Sequence, residues 1–246
     1  MSLSSEDLDR HRRHILLKEI GGPGVAKLRA ASVSIIGAGA LGGPAALYLA
    51  AAGVGQIELW DDDHVERSNL QRQIQFTEAD TGAEKAARLA ARITALDPSI
   101  EVCVRHARFD KNVSPSGSIL IDATDNFETR FALNAFAHAE GRYLVSGAAS
   151  GWSGQVSVFA SGLIAESPCY RCWISEIPPA AEACDEVGVV GALTGMTGSA
   201  MALETVKLIA GAGDPLIGRI LLIDGLRGEM RTVRLRRDSQ CPVCSI

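Results

Sequence analysis

A chain of 246 residues with 24 basic against 29 acidic side chains carries a formal charge of −5, which offers no cationic footprint for a nucleic-acid backbone or an anionic membrane. Hydrophobic residues make up 47% of it and only nine residues are proline, a composition that buries a sizeable core and excludes global disorder. The length suits a single α/β domain with an extension, and the opening MSLSSEDLDRHRR lacks the basic-then-apolar order of a secretory signal, so the six cysteines are expected in a reducing cytoplasm and not as disulfides.

Residues 6–17 mix acids, bases and apolar side chains at near-helical spacing and predict a helical arm, with residues 1–30 assigned to it. SVSIIG, from Ser32, is a short β-branched run. AGALGGPAALYLAAAG then predicts a glycine turn opening a helix that stops at Gly53, and residues 56–60 form the next strand, which makes a βαβ unit with parallel strands. AEKAARLAARITALD predicts a helix with Leu89, Ile93 and Leu96 on one face, ended by Pro98. IEVCVR, SILID and YLVSGAA are β-rich, and FETRFALNAFAHAE is helical. Beyond residue 148 the grammar changes: GQVSVFA alternates as an antiparallel strand does, GALTGMTGSAMALETVKLIAG is a small-residue helix, and RILLID and EMRTVRL are the last strands. The fold class is therefore α/β: a Rossmann-like, doubly wound, mostly parallel sheet extended by antiparallel strands. Within one domain of residues 1–246, residues 31–148 form a nucleotide-binding half and residues 149–246 the other half. The loop at residues 175–187 is the candidate mobile crossover.

Residues 31–57 are free of charge over 27 positions, but Gly37, Gly39, Gly42, Gly43, Pro44, Gly53 and Gly55 interrupt the run, which suits a buried strand, turn and helix and not a membrane span.

Gly37, Gly39 and Gly42 form G-x-G-x-x-G between a strand and a helix, where backbone amides meet a nucleotide phosphate, and Asp61 ends the next strand 19 residues after Gly42, placed to accept ribose hydroxyls. Close helix–strand packing is the competing reading of these glycines. Asp61, Asp63, Ser68, Asn69 and Arg72 follow the strand and Lys85 opens the next helix, a polar density that suits charge neutralisation at departing pyrophosphate better than hydride transfer. For each residue alone, a solvated loop is the alternative. Asp125 follows SILID at the carboxyl edge of the sheet, a position for Mg²⁺ beside phosphates or for a helix N-cap.

Cys169-x-x-Cys172 and Cys241-x-x-Cys244 offer four thiolates for tetrahedral Zn²⁺. With 68 residues between the pairs, such a metal clamps the end of the chain onto its middle, and four cysteines leave no open position for substrate, so the role is structural. A redox C-x-x-C is the competing reading. Cys103 is an inert residue of a strand, and Cys184 in the acidic loop has no chemistry that spacing settles.

Taken together, GAGALG, DDDHVERSNLQRQ, Lys85, ATDN with Arg130 and Asn134, and the CYRC and CPVC knuckles resemble the ThiF/MoeB family, bacterial relatives of ubiquitin-activating enzymes, in the form without a rhodanese domain. The resemblance implies an ATP-dependent adenylyltransferase that activates the C-terminal Gly-Gly carboxylate of a small ubiquitin-like sulfur-carrier protein, of the molybdopterin-synthase or thiazole-synthesis type, as an acyl-adenylate. It further implies that Gly39 lies near the phosphates, Asp61 holds ribose, Asn69, Arg72 and Lys85 address phosphates, and Asp125 holds Mg²⁺. Arg13 matches the arginine that family members reach into the neighbouring subunit's ATP, which implies a homodimer; the arm keeps Arg10 and Arg13 but reads RHRRHI, with a middle unlike that of relatives. Cys184 aligns with a cysteine that some relatives use for a covalent intermediate and others do not. A sulfurtransferase or cysteine desulfurase is the implied sulfur source. Two other classes compete: a non-catalytic module that docks a ubiquitin-like protein, and a nicotinamide-dependent oxidoreductase using the same glycines.

Overall fold

The computed structural model describes residues 3–110, 114–177 and 188–245. Eight strands form one sheet: β1 (Ser32–Ile36), β2 (Gln56–Trp60), β3 (Glu101–Arg105), β4 (Ile119–Asp122), β5 (Tyr143–Ser150), β6 (Ser153–Phe159), β7 (Arg219–Asp224) and β8 (Glu229–Arg234). Their order is β3-β2-β1-β4-β5-β6-β7-β8. The first five pair in parallel and β5 to β8 pair antiparallel, so the change of grammar after residue 148 marks the change of strand direction.

Strand alternation sorts the apolar side chains into two layers. Ile119 and Ile121 of β4 pack with Val33 and Ile35 of β1 into a core covered by α3 (Gly21–Ala30), α4 (Gly42–Ala52), α5 (Lys85–Leu96) and α8 (Gly191–Ala210). Leu120, between them, joins Ile36, Trp60 and Leu144 on the opposite face, beneath Leu133 of α6 (Phe127–Ala139) and Tyr170 of α7 (Tyr170–Trp173). Connections leave β1 toward one layer and β4 toward the other. The gap between the carboxyl ends of β1 and β4 is thus a topological switch point, where open α/β sheets collect ligands.

The arm differs from one helix over residues 6–17. It breaks into α1 (Ser5–Arg10) and α2 (Arg12–Ile15) at His11, whose side chain is 1% exposed. The His11 ring packs against Gly53, where a Cβ would stand 2.6 Å from its Cε1. Arg29 of α3 ties the arm down, with its NH2 2.7 Å from Asp7 Oδ1 and its NH1 3.1 Å from Asp97 Oδ2. Among the described residues no helix is long and apolar enough to cross a membrane, including the charge-free run at residues 31–57. The crossover expected at residues 175–187 falls largely, from residue 178, outside the described residues, and Cys184 lies there too.

Candidate active site

A cavity of about 1040 Å³ opens at the switch point. Its floor is the glycine turn after β1. Gly37 has φ +97° and a Cβ there would stand 2.6 Å from the Ala123 carbonyl oxygen; a Cβ on Gly42 would run into the Gly37 carbonyl. Gly37 and Gly39 line the cavity, whereas Gly42 serves the tight entry into α4.

Asp61, at the end of β2, fixes this turn. Its Oδ2 accepts from Ala38 N–H at 2.7 Å and its Oδ1 from Asp63 N–H at 2.9 Å. Burial pushes its carboxyl above the usual range, against those two amides. Each oxygen keeps an unused lone pair, so the carboxylate retains capacity for a ligand hydroxyl. Gln75 grips the turn from the other side, its Nε2 donating to the carbonyls of Ala38 and Gly39 at 3.0 Å each. Nothing in RQIQ distinguishes Gln75 as such a clasp; its signal would have been Gly43, where any Cβ would collide with the Gln75 side chain.

Lys85 opens α5 with its side chain 8% exposed and its Nζ 2.8 Å from Asp63 Oδ2, and both residues line the cavity. Arg72 lines it as well, with its NH1 donating to the Ser68 carbonyl at 3.2 Å. Ser68 and Asn69 do not. Ser68 Oγ turns to Glu66 Oε2, and Asn69 Oδ1 accepts from Glu66 N–H at 3.3 Å, closing the 3-10 turn Arg67–Asn69. Arg108, which the sequence reading passed over, stands on the rim with its Nε 2.9 Å from Asp62 Oδ2.

Across the cavity, Asp125 lies on the loop after β4. Asp125 is not the N-cap of α6: Asn126 caps it, its Oδ1 accepting from Thr129 N–H at 2.9 Å, and Asp125 lines the cavity. Arg130 braces that loop from beneath. It is 7% exposed and donates to the carbonyls of Thr124 and Gly147 and to the Tyr170 hydroxyl. Burial opposes its charge, yet Asp122 and Tyr170 nearby hold its pKa above the usual value. The cavity therefore carries Lys85 and Arg72 on one wall and Asp125 on the other, over a floor of amides. Arg13 is exposed on α2 and is not among the residues lining this cavity of its own chain.

The two cysteine knuckles meet beside α7. Cys169 Sγ is 3.4 Å from Cys241 Sγ, Cys172 Sγ is 3.4 Å from Cys244 Sγ, and all four sulfurs lie within 4.8 Å of one another. A tetrahedron with Zn–S bonds of ~2.3 Å has edges of ~3.8 Å, so this donor set could hold zinc with no open position, while the separations are far beyond a disulfide bond. The five described cysteines are free thiols. Burial works against the Cys241 thiolate, but the amides of Cys244 and Val243 bring its pKa down to about 7. Arg237 donates to the carbonyls of Ala165 and Cys244, tying the chain's end to the middle beside the four cysteines. Cys103 is half-buried in β3, away from both sites.

Two similar proteins have a length comparable to that of this chain. The chain is 41% identical over 250 residues to the SAMP-activating enzyme E1 of Haloferax volcanii, covering 99% of this chain and 91% of that one. It is 40% identical over 252 residues to the sulfur carrier protein adenylyltransferase of Thermus thermophilus, covering 99% and 93%. Among solved structures, E. coli MccB with MccA-N7isoAsn superposes with a TM-score of 0.85 at 20% identity, over 99% of this chain and 76% of that one, a likeness of fold. Residues 11–243 match the ThiF family, and the chain belongs to that family.

Proposed function

We propose that this chain adenylates the C-terminal Gly-Gly carboxylate of a small ubiquitin-like sulfur-carrier protein. The observation that carries the reading is the cavity itself: amides of the glycine turn, the Lys85 and Arg72 cations and the Asp125 carboxylate converge on one space at the switch point. Two relatives about 40% identical along nearly their whole length, one named a SAMP-activating enzyme E1 and the other a sulfur carrier protein adenylyltransferase, support it.

In this reading ATP lies with its ribose at Asp61 and its phosphates over Gly37 and Gly39, addressed by Arg72 and Lys85. A carrier carboxylate oxygen attacks the α-phosphorus, the bond to the bridging oxygen breaks, and pyrophosphate leaves with that oxygen's electron pair. The attacking carboxylate is already ionised at neutral pH, so no general base is needed; positioning and charge neutralisation supply the catalysis. Asp125 would hold Mg²⁺, which supplies charge on the departing phosphates. Arg13, exposed and absent from the lining of its own cavity, would complete the site of a second copy in a homodimer. A sulfur donor, either a sulfurtransferase or a cysteine desulfurase, would later displace AMP. Zinc at Cys169, Cys172, Cys241 and Cys244 would be structural, and thiolate ligands suit the reducing cytoplasm. Asn69 would address the phosphates together with Arg72, and Ser68 shapes the turn that carries both. Gly42 shapes the entry into α4 that holds the glycine turn, and Cys184 would either form a covalent intermediate with the carrier or take no part in turnover. Hydride transfer would leave Arg72, Lys85 and Asp125 without a task.

ATP–pyrophosphate exchange tests the reading, with and without Gly-Gly-ended carriers of the molybdopterin-synthase and thiazole-synthesis types. Exchange that requires one carrier and fails when its last glycine is removed is expected. ATP binding with no exchange under any carrier would favour a non-catalytic docking module.

A further inference from the structure

Behind the wall that carries Lys85, the chain forms a short antiparallel ladder between residues 63–65 and 82–85. Val65 N–H donates to the Ala83 carbonyl at 2.8 Å, Gly82 N–H to the Val65 carbonyl at 2.8 Å, and Lys85 N–H to the Asp63 carbonyl at 3.0 Å. His64 and Glu84 pair directly across it. Side chains alternate along such a ladder, so Asp63 and Lys85 face the cavity on the front, whereas His64 and Glu84 share the back. The cavity lining agrees, including the first pair and not the second.

A third side chain reaches the same back face from another element. His106 directly follows β3, which is held in register with β2 and by the Asp61 N–H donating to the Arg105 carbonyl at 3.1 Å. Its ring meets His64 edge-on at 5.5 Å between centroids, and its Nδ1 lies 3.8 Å from Glu84 Oε2. One ligand atom from each of His64, Glu84 and His106 lies within 4.8 Å of the others.

We propose that His64, His106 and Glu84 form a second metal site, separate from the four cysteines, which takes a zinc-class divalent ion with water in the remaining position. Two imidazoles and a carboxylate are the donor set of zinc and neighbouring transition metals, not of Mg²⁺, which prefers oxygen. Tetrahedral bonds of ~2.0–2.1 Å need ligand atoms ~3.3 Å apart, so the side chains must close by about 1.5 Å. His64 and His106 are exposed and Glu84 is half-buried, so side-chain rotation alone can supply that movement while the backbone stays in its ladder. Asp62 and Asp63 are spoken for by Arg108 and Lys85, so Glu84 is the carboxylate that faces the two imidazoles. The ion would tie the loops after β2 and β3 to the start of α5, on the reverse of the strand pair that presents Lys85.

The test is equilibrium dialysis of the full chain, with its cysteine site filled, against Zn²⁺ and separately against Co²⁺. The parent should bind a second equivalent, and the second Co²⁺ should show ligand-field bands without the thiolate charge-transfer absorption of the cysteine site. Losing an outer partner of a metal ligand costs roughly 10–100-fold in affinity, so His106→Ala, which removes a ligand itself, should weaken the second site by at least that much. The double variant His64→Ala/His106→Ala should lose it while keeping the first equivalent and the metal-free Tm. A parent that binds one equivalent only, or a double variant that keeps the second, overturns the proposal.

Discussion

Lys85 Nζ stands 2.8 Å from Asp63 Oδ2, and the pair is asymmetric: the lysine side chain is 8% exposed and the aspartate 58%. Half of the pair is in water, so its own contribution to stability is small, while the ammonium is held on the cavity wall by the ladder that positions α5. Its value is positional. Lys85→Ala should lower carrier-dependent ATP–pyrophosphate exchange by roughly 100- to 1000-fold, the range for removing one preorganised charge donor, with Tm little changed. Full exchange in that variant would remove Lys85 from the site.

A second prediction concerns where α5 is anchored. Asp80 Oδ2 accepts from Thr77 N–H at 2.8 Å and Thr77 Oγ1 at 2.9 Å, and its carboxylate meets Arg88 and Arg92 of α5. Burial alone would raise its pKa, but Thr77 and Arg88 hold it down to about 2, below the ordinary 3.8. The unfolded chain therefore takes up this proton first on acidification, so the stabilisation is fully present above the ordinary value and is lost as pH falls from about 4 to about 2. Asp80→Ala should cost about 1–3 kcal/mol at neutral pH by urea unfolding. The gap to the parent should narrow as pH approaches 3, and a gap independent of pH would argue against the ionised carboxylate as its source.

The exposed position of Arg13 gives a third. If each site borrows this residue from a second copy, Arg13→Ala and Lys85→Ala are each inactive alone, yet a hybrid dimer contains one intact site. Random reassortment of equal amounts should restore about a quarter of wild-type exchange. No recovery, with subunit exchange verified by mass, would mean that Arg13 does not act across the dimer, and full exchange in Arg13→Ala alone would place it outside catalysis.

Removing one thiolate probes the clamp. Cys241→Ser should release the zinc of the cysteine site, lower Tm, and expose the chain's last residues to protease, because Arg237 and the second knuckle hold that end against residues 165–172. Zinc content by atomic absorption and limited proteolysis read the two effects. Unchanged metal content would point to a ligand set other than the four cysteines.

The β-strand grammar and the knuckles are legible in the sequence because each is local: a short β-branched run produces β1, a continuous apolar run β4 and an alternating one β6, and C-x-x-C spacing alone places two sulfurs together. Tertiary events are not. The segment GGPGVAKLRA of α3 starts with residues that signal a turn, and only the packing of Val25 and Leu28 in the core makes it helical. The same holds for Ser68 and Asn69, whose contacts with Glu66 around a 3-10 turn are announced by no pattern in the sequence. Gln75 becomes a clasp only because the glycine turn is brought to it. Arg13 cannot be placed by one chain's fold at all.

Arg130 joins the metal knuckle to the loop of Asp125, for it reaches the Tyr170 hydroxyl, between Cys169 and Cys172, and the Thr124 carbonyl, next to Asp125. The knuckle has an independent hold, as Tyr170 N–H donates to Asn134 Oδ1 at 2.7 Å. The Asp125 loop is tied otherwise through Thr124 to Asp122. Arg130→Lys keeps the charge but not the planar fork, so it should cost about 1–3 kcal/mol of stability and free the Thr124 carbonyl. Displacing a substrate-positioning loop by about 1 Å costs roughly 100-fold in rate, so exchange should fall by that order and respond to added Mg²⁺, while zinc content stays at the parent level. Loss of zinc together with activity would mean that Arg130 supports the knuckle first and the Asp125 loop only through it.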